Sequence, residues 1–370
     1  MKLCNSTFSD RPGAHLALNE FGSSFSTAVS TSMRLRNYTT CADATSILNG
    51  NIRPRRVSSQ WQSTFLDALE ELANDSAGNW WRDVLRHTDL VLAVRRNSIN
   101  AYYRGASIFR IGWKPGQVIP FTHAKYLVRQ AQTYVALERG EFQFDARDVL
   151  QKTYLGMETL NEMCRAASRY AGAEKAGIHP MLAGNADVID AEIALTRLSS
   201  PEDDGEEEAG SSDRRQDRID AAIAVLENDV PTIRFYEAKH FTNSALRASG
   251  DNLPDVVRQI TDYEKALEAY RAELSAGYVE TARALLRFND MRIRAFGESA
   301  GRSIAPAIRQ IAETGSAPVI DTLPHLIIYG FDKAQRDDPA WSKHLAKLQA
   351  AIPGRVRAIG NPTRTTVFNR

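Results

Sequence analysis

RIDAAIAVLENDVPTIRFYEAKHF (218–241) decides how this chain is read. Two apolar runs rich in β-branched and aromatic residues, RIDAAIAVLEN (218–228) and TIRFYEAKHF (232–241), flank a short polar break, the pattern of two neighbouring strands. Each run carries charge where charge is costly unless it is paired or bound to a cation: Asp220 in the first, Glu237 and Lys239 in the second. Glu237 and Lys239 are two apart and share one face of their strand, while Tyr236 and Ala238 point to the other. Sequential strands usually pair, so two carboxylates and an ammonium are expected to converge on one spot of a sheet. Two carboxylates at one place repel unless a cation joins them, and hard oxygen donors suit Mg²⁺ or Mn²⁺. A divalent ion beside a lysine is the equipment for phosphodiester hydrolysis.

Outward from this stretch, DVIDAEIALTRL (187–198) predicts a strand. DVLQKTYLGMETLNEMCRAASRYA (148–171) predicts a helix starting near Ala146, which Gly177 and Pro180 break. On the other side, DVVRQITDYEKALEAYRAEL (255–274) reads as an amphipathic helix entered from Pro254. Gln259 and Tyr263 are i, i+4 on one face of it, suited to hold a water or a phosphate backbone, and Arg258 and Lys265 lie near enough to bear on phosphates. A further helix is expected at 278–297, then a strand HLIIYGFD (325–332), a helix PAWSKHLAKLQAAI (339–352) and a last strand RVRAIG (355–360). Before all this, 1–57 shows weak periodicity, a helix is expected from Ser58 or Ser59, and four short strands follow within 90–122. The expectation is a two-domain α/β protein: a small α+β N-terminal domain at 1–140 for specificity, regulation or partner binding, and a second domain at 146–370.

RID…YEAK…QITDY resembles the D…ExK core of the PD-(D/E)xK nuclease superfamily, in the branch that bears a QxxxY helix element. The match covers roughly 148–361 and leaves 1–140 unexplained. It is the chain's only ExK, and it lies in a strand between a strand Asp and a helical QxxxY. The Asp motif is Ile-Asp rather than Pro-Asp, a departure the superfamily tolerates. The resemblance implies a restriction-endonuclease-like core, a mixed sheet flanked by helices in α-β-β-β-α-β order. It implies Asp220 and Glu237 as ligands of Mg²⁺ or Mn²⁺, Lys239 as the catalytic lysine, and Gln259 and Tyr263 in support. The family often adds an upstream acidic ligand. Glu192 is the first choice, with Glu158 and Glu162 as alternatives.

The implied activity is a metal-dependent deoxyribonuclease, with RNA also open and with endonuclease and exonuclease action undecided. By analogy the layout suits bacterial restriction or anti-phage defence. The alternative is a non-catalytic nucleic-acid-binding or assembly module on the same fold; an enzyme on a non-nucleic substrate has no positive support. The competing structural reading of ExK is a sheet-edge Glu–Lys ion pair beside a solvent-facing Asp. Arg283, Arg287, Arg292 and Arg294 form a stretch able to contact phosphates or to solvate a helix. His240 should pack or face solvent on the opposite side of its strand from Lys239, and Trp80, Trp81, Tyr102, Tyr103 and Phe109 suit a domain core.

Composition bounds these readings. The 370 residues are 43% hydrophobic and 25% charged, which excludes collagen-like and wholly disordered chains. No apolar run is long enough to span a membrane, the N-terminus lacks a secretory apolar core, and no P-loop is present. Three scattered cysteines, Cys4, Cys41 and Cys164, argue against a disulfide framework and fit a reducing cytoplasm. The net charge of +1 offers no bulk basicity. However, six of the 45 acidic residues lie in PEDDGEEEAGSS (201–212), an expected solvated loop, and without them 39 acids face 46 basic residues. The body is moderately basic, and the acidic insert either solvates or shields the site.

Overall fold

The computed structural model describes residues 59–360 and Phe368, apart from 97, 115, 130–135, 144–149, 184 and 196–217. The acidic insert at 201–212 and the readings of 1–57 lie outside the described residues. The fold is mixed α/β. Helices α1 (Ser59–Asn74) and α2 (Trp80–Arg86) precede a meander of β1 (Val91–Arg95), β2 (Ser98–Tyr103), β3 (Ala106–Lys114) and β4 (Gln117–Phe121), four antiparallel strands in that order. Asn79 caps α2, its side chain accepting from Trp81 N and Arg82 N. Phe65, Leu69, Trp81, Val84, Ile99, Ile108 and Ile111 bury the inner face of this sheet. Trp81, Tyr102 and Phe109 are core, as expected.

A small hairpin, β5 (Ala136–Glu138) and β6 (Glu141–Gln143), leads to α3 (Met157–Ser168) and α4 (Ala173–Ala183). The start expected near Ala146 lies outside the described residues, and the described helix begins at Met157. Gly156 stands before it with φ 78 and ψ −151, a conformation only glycine adopts freely, and this sets the start. Gly177 and Pro180, expected to break helical structure, both lie inside α4. The glycine answers a packing demand: a Cβ there would sit 2.4 Å from the Tyr329 ring. The Tyr329 hydroxyl donates to the Glu174 carbonyl and holds the helix down at that approach.

The principal sheet follows. Strands β7 (Val188–Ala194), β8 (Arg218–Glu227) and β9 (Val230–His240) are antiparallel neighbours. Asn228 and Asp229 join β8 to β9 with φ 50 and 64, the left-handed two-residue turn whose twist matches a hairpin and which Asn and Asp tolerate. Helices α5 (Asp255–Ala269), α6 (Arg271–Phe296) and α7 (Pro306–Thr314) lead to β10 (Val319–Ile320) and β11 (His325–Tyr329). Helices α8 (Lys333–Arg336) and α9 (Pro339–Ala351) lead to β12 (Val356–Ala358). The strand order is β12-β11-β9-β8-β7, with β10 pairing β9; β10, β11 and β12 join in parallel. Helix α7 had no counterpart in the sequence reading. It is amphipathic, burying Ile308 and Ile311, and it ends on Gly315 in the left-handed conformation.

Alternation along β9 splits the core. Ile233 and Phe235 face a layer made by α5, α6, α7 and α9, with Ile260, Leu267, Tyr278, Ile308 and Leu348 buried in it. Tyr236 and Ala238 face Ile178 and Met181 of α4 and Val91, Ala93 and Tyr102 of the meander. Helix α6 joins the first of these layers to the core of the N-terminal sheet: Tyr278 and Ala282 belong to that layer, while Ala284, Phe288 and Met291 pack with Phe65, Trp81 and Ile99. The division expected near residue 140 therefore falls inside one compact unit that includes all described residues.

His179 marks the join between α4 and the meander. It is 5% exposed, packs edge-on against Tyr103 at 4.9 Å, and accepts the Arg104 N–H on Nδ1 at 3.1 Å. Burial pushes its pKa down from the usual 6.5 to about 4. The unfolded chain therefore takes up the proton first, so the stability His179 contributes is present above about pH 6.5 and is lost as pH falls toward 4. Thermal unfolding of the wild type followed from pH 7 to 4.5 should show this loss, and His179→Gln should flatten it. A profile unchanged by the substitution would refute the assignment.

Candidate functional site

The site lies where the pairing of β8 with β9 gives out, while β7 and β8 still pair on its other side. Ala191 pairs with Ala221 and Ile193 with Ile219, which sets Glu192 opposite Asp220. On the other side Ala221 pairs with Tyr236, the last bridge in that direction, and the next position along each strand holds Asp220 and Glu237. Asp220 Oδ2 accepts the Ala238 N–H at 2.8 Å, a side chain taking a donor where the ladder has ended. Glu192 itself adopts φ 53, uncommon for a residue with a side chain and a mark of local strain.

The other groups close on these carboxylates. Lys239 Nζ lies 2.6 Å from Glu237 Oε1, and Gln259 Nε2 donates to the same oxygen at 3.0 Å. Gln259 Nε2 also donates to the Tyr263 hydroxyl at 2.7 Å, so the i, i+4 pair on α5 acts as one unit. Asp220, Glu237, Lys239, Gln259, Tyr263 and Glu192 are all brought together. Asp220, Glu237 and Glu192 are 5%, 2% and 5% exposed, so this is an interior cluster and not a sheet-edge ion pair.

Two members come from α4. Lys175 Nζ bridges Asp220 Oδ1 at 2.6 Å and Glu192 Oε1 at 2.8 Å. Glu174 approaches Lys239 at 3.9 Å and accepts from Asn243 Nδ2 at 2.7 Å and from His240 N at 3.3 Å. Both were missed because Gly177 and Pro180 read as breakers, which dissolved the helix that carries them.

The electrostatics follow from burial. Desolvation raises the pKa of Glu237, and the charge of Asp220 raises it further, against the opposing pull of Lys239. Glu192 is also raised, chiefly by burial and in spite of Lys175. Burial works to lower both ammonium groups, but their carboxylate partners outweigh it and hold Lys175 and Lys239 above the usual range. Four acids, three of them buried and Glu174 less so, share the cluster with two ammonium groups, and Glu237 Oε2 is buried without a hydrogen-bond partner.

This donor set fits a hard divalent cation: carboxylate oxygens, a surplus of negative charge, and an orphaned buried oxygen on Glu237. The Lys175 ammonium, placed between two of the acids, stands in for such a cation. Asp220, Glu237 and Glu192 are the residues that would hold it. Among the described residues no three His, Cys, Asp or Glu side chains stand together at cation-holding spacing; in this arrangement the ammonium groups lie between the acids.

The remaining predicted residues are dispersed. Glu158 is exposed, and Glu162 lies beside Tyr126 and Val128; both sit on α3, whose Leu160 and Met163 pack under the meander. Arg258 and Lys265 are exposed on α5, Lys265 at 4.0 Å from Asp262. Arg283 pairs with Glu280 at 2.9 Å, and Arg287 pairs with Asp67 at 2.7 Å and with Glu70. Arg292 is 5% exposed and donates to the Leu85 carbonyl at 3.0 Å. Arg287 and Arg292 therefore tie α6 to α1 and α2; Arg292 is buried in doing so, while Arg287 keeps a partly exposed side chain.

Removing Glu237 leaves two donors, Lys239 Nζ and Gln259 Nε2, without their shared acceptor. Glu237→Ala should cost about 3 kcal/mol or more in urea unfolding without added metal, as expected when one partner of a buried pair is deleted. Tyr263→Phe, which removes one neutral hydrogen bond, should cost about 1 kcal/mol. Equal costs would contradict the shared-acceptor geometry.

Comparison with family models, with curated proteins and with solved structures gave no match, so the chemistry of this site rests on its own residues.

Proposed function

We propose that this protein is a metal-dependent nuclease that hydrolyses DNA phosphodiester bonds, built on a restriction-endonuclease-like core. The observation that carries the reading is the convergence of Lys239 and Gln259 on one oxygen of Glu237, beside Asp220, on an interior sheet face. An ion pair serving stability alone needs neither a second buried carboxylate nor a positioned amide. The order α4, β7, β8, β9, α5, β11 supports the core assignment, because it sets a helix before three antiparallel strands and another before the parallel one.

Asp220, Glu237 and Glu192 would hold Mg²⁺ or Mn²⁺. The chemistry such an ion supplies when bound is polarisation of a phosphoryl oxygen and ionisation of water near neutral pH. Lys239 is fixed by Glu237 at one of its three donors, which aims the remaining donors at an attacking water or at charge developing on phosphorus. Gln259 fixes the Glu237 carboxylate, and Tyr263 fixes Gln259, so α5 sets the orientation of the acid that orients the lysine. Arg258 and Lys265, exposed on the same helix, suit contact with the phosphate backbone. No described helix is long and apolar enough to cross a membrane. The setting in restriction or anti-phage defence, and a partner or second copy bound through the N-terminal half, belong to the proposal by analogy.

The test is cleavage of linear, circular and single-stranded DNA, and of RNA, with Mg²⁺ or Mn²⁺ against EDTA, for wild type and Lys239→Ala. Cleavage should require the metal and should fall by about 10²-fold or more in the variant, the usual effect of losing one group that stabilises developing charge. Far-ultraviolet circular dichroism checks that the variant is folded. Binding without cleavage, equal in both proteins and with every metal, would replace the nuclease with a nucleic-acid-binding module.

A further inference from the structure

Lys175 is placed where the proposed cation would be needed. Its ammonium contacts Asp220 at 2.6 Å and Glu192 at 2.8 Å, so one oxygen of each acid already faces a positive charge. The lysine side chain is 34% exposed, whereas those of Glu192 and Asp220 are 5% and 7% exposed. The lysine side chain therefore reaches solvent where the carboxylates do not, and its stem is flexible enough to move. The meander guides that stem. Gly105, in the turn between β2 and β3 with φ 76, lies so close that a Cβ there would meet Lys175 Cγ and Cδ at 2.9 Å. Only glycine leaves both the conformation and the space.

We propose that Lys175 is a built-in counter-cation: it occupies the position between Asp220 and Glu192 until a divalent ion displaces it. The inference rests on the metal-dependent reading of the site and adds a residue to it. In the metal-free protein the ammonium relieves repulsion among three buried acids. In exchange it competes with the metal, so the site loads only above a threshold of free cation. Because the stem lies against the β2–β3 turn, the N-terminal half sets how readily the side chain leaves.

The experiment is Mn²⁺ titration of the full-length protein by isothermal calorimetry, with thermal unfolding in EDTA, for wild type, Lys175→Met and Lys175→Arg. Lys175→Met should bind Mn²⁺ about tenfold more tightly or better, the scale of removing one competing charge. Its unfolding temperature in EDTA should fall, and Mn²⁺ should restore it. Lys175→Arg keeps the charge and should gain no affinity. If Lys175→Met does not fold without metal, Lys175→Gln gives the same readout. Equal or weaker Mn²⁺ binding by the neutral variants overturns the counter-cation while leaving the nuclease reading in place. Absence of Mn²⁺ binding by every protein overturns both.

Discussion

The burial of Glu237 is the constraint on which the site depends. A carboxylate 2% exposed, beside a second carboxylate, has to be neutralised by a proton or by positive charge. Lys239 and Gln259 share its one satisfied oxygen, and the other has no partner. Replacing such a cluster with apolar side chains of similar volume is often neutral or stabilising. Stability alone is therefore a weak account of the cluster, and this favours the proposed chemistry at the site. The same reasoning covers Lys175, whose contacts extend the compensation to Asp220 and Glu192.

The N-terminal half belongs to this arrangement. Arg95, the last residue of β1, pairs with Asp190 at 2.5 Å and donates to the carbonyls of Ala191 at 2.5 Å and Glu192 at 3.1 Å. It thereby braces the left-handed turn of backbone at Glu192 from outside the sheet. Gly105 does the equivalent for Lys175. Arg302 adds ties to the carbonyls of His87, Thr88 and Leu90, and Arg292 to that of Leu85. The meander therefore behaves less as an attached module than as a wall of the site.

Periodicity made β7, β8, β9 and their partners legible, because a two-residue repeat of buried apolar positions survives in the sequence whatever the tertiary context. The site residues on β8, β9 and α5 were legible for a related reason: charges in apolar strands conflict with their surroundings. Lys175 and Glu174 carried no such conflict. They precede a glycine and a proline, and the glycine serves a close approach to Tyr329, a contact from far along the chain. Arg287 and Arg292 were ambiguous for the opposite reason. A row of arginines on a helix looks alike whether it faces phosphate or the carbonyls and acids of a neighbouring helix, and only packing decides between them.

That distinction bears on how a polyanion could approach. Outside the acidic insert 46 basic residues face 39 acids, yet many of the positive groups are consumed within the fold. Arg82, Arg95, Arg292 and Arg302 end on backbone carbonyls, Arg287 on acids of α1, and Arg355 on Glu264 of α5. Among the described residues these six arginines are taken up inside the fold, and the site itself is rich in carboxylates. On the nuclease reading, positive charge at this face would come from Arg258 and Lys265 on α5, the two lysines at the site, and any metal the carboxylates hold. On the proposed nuclease reading, a cation loaded at the site would favour substrate approach as well as chemistry, and binding and catalysis should then share one dependence on the metal.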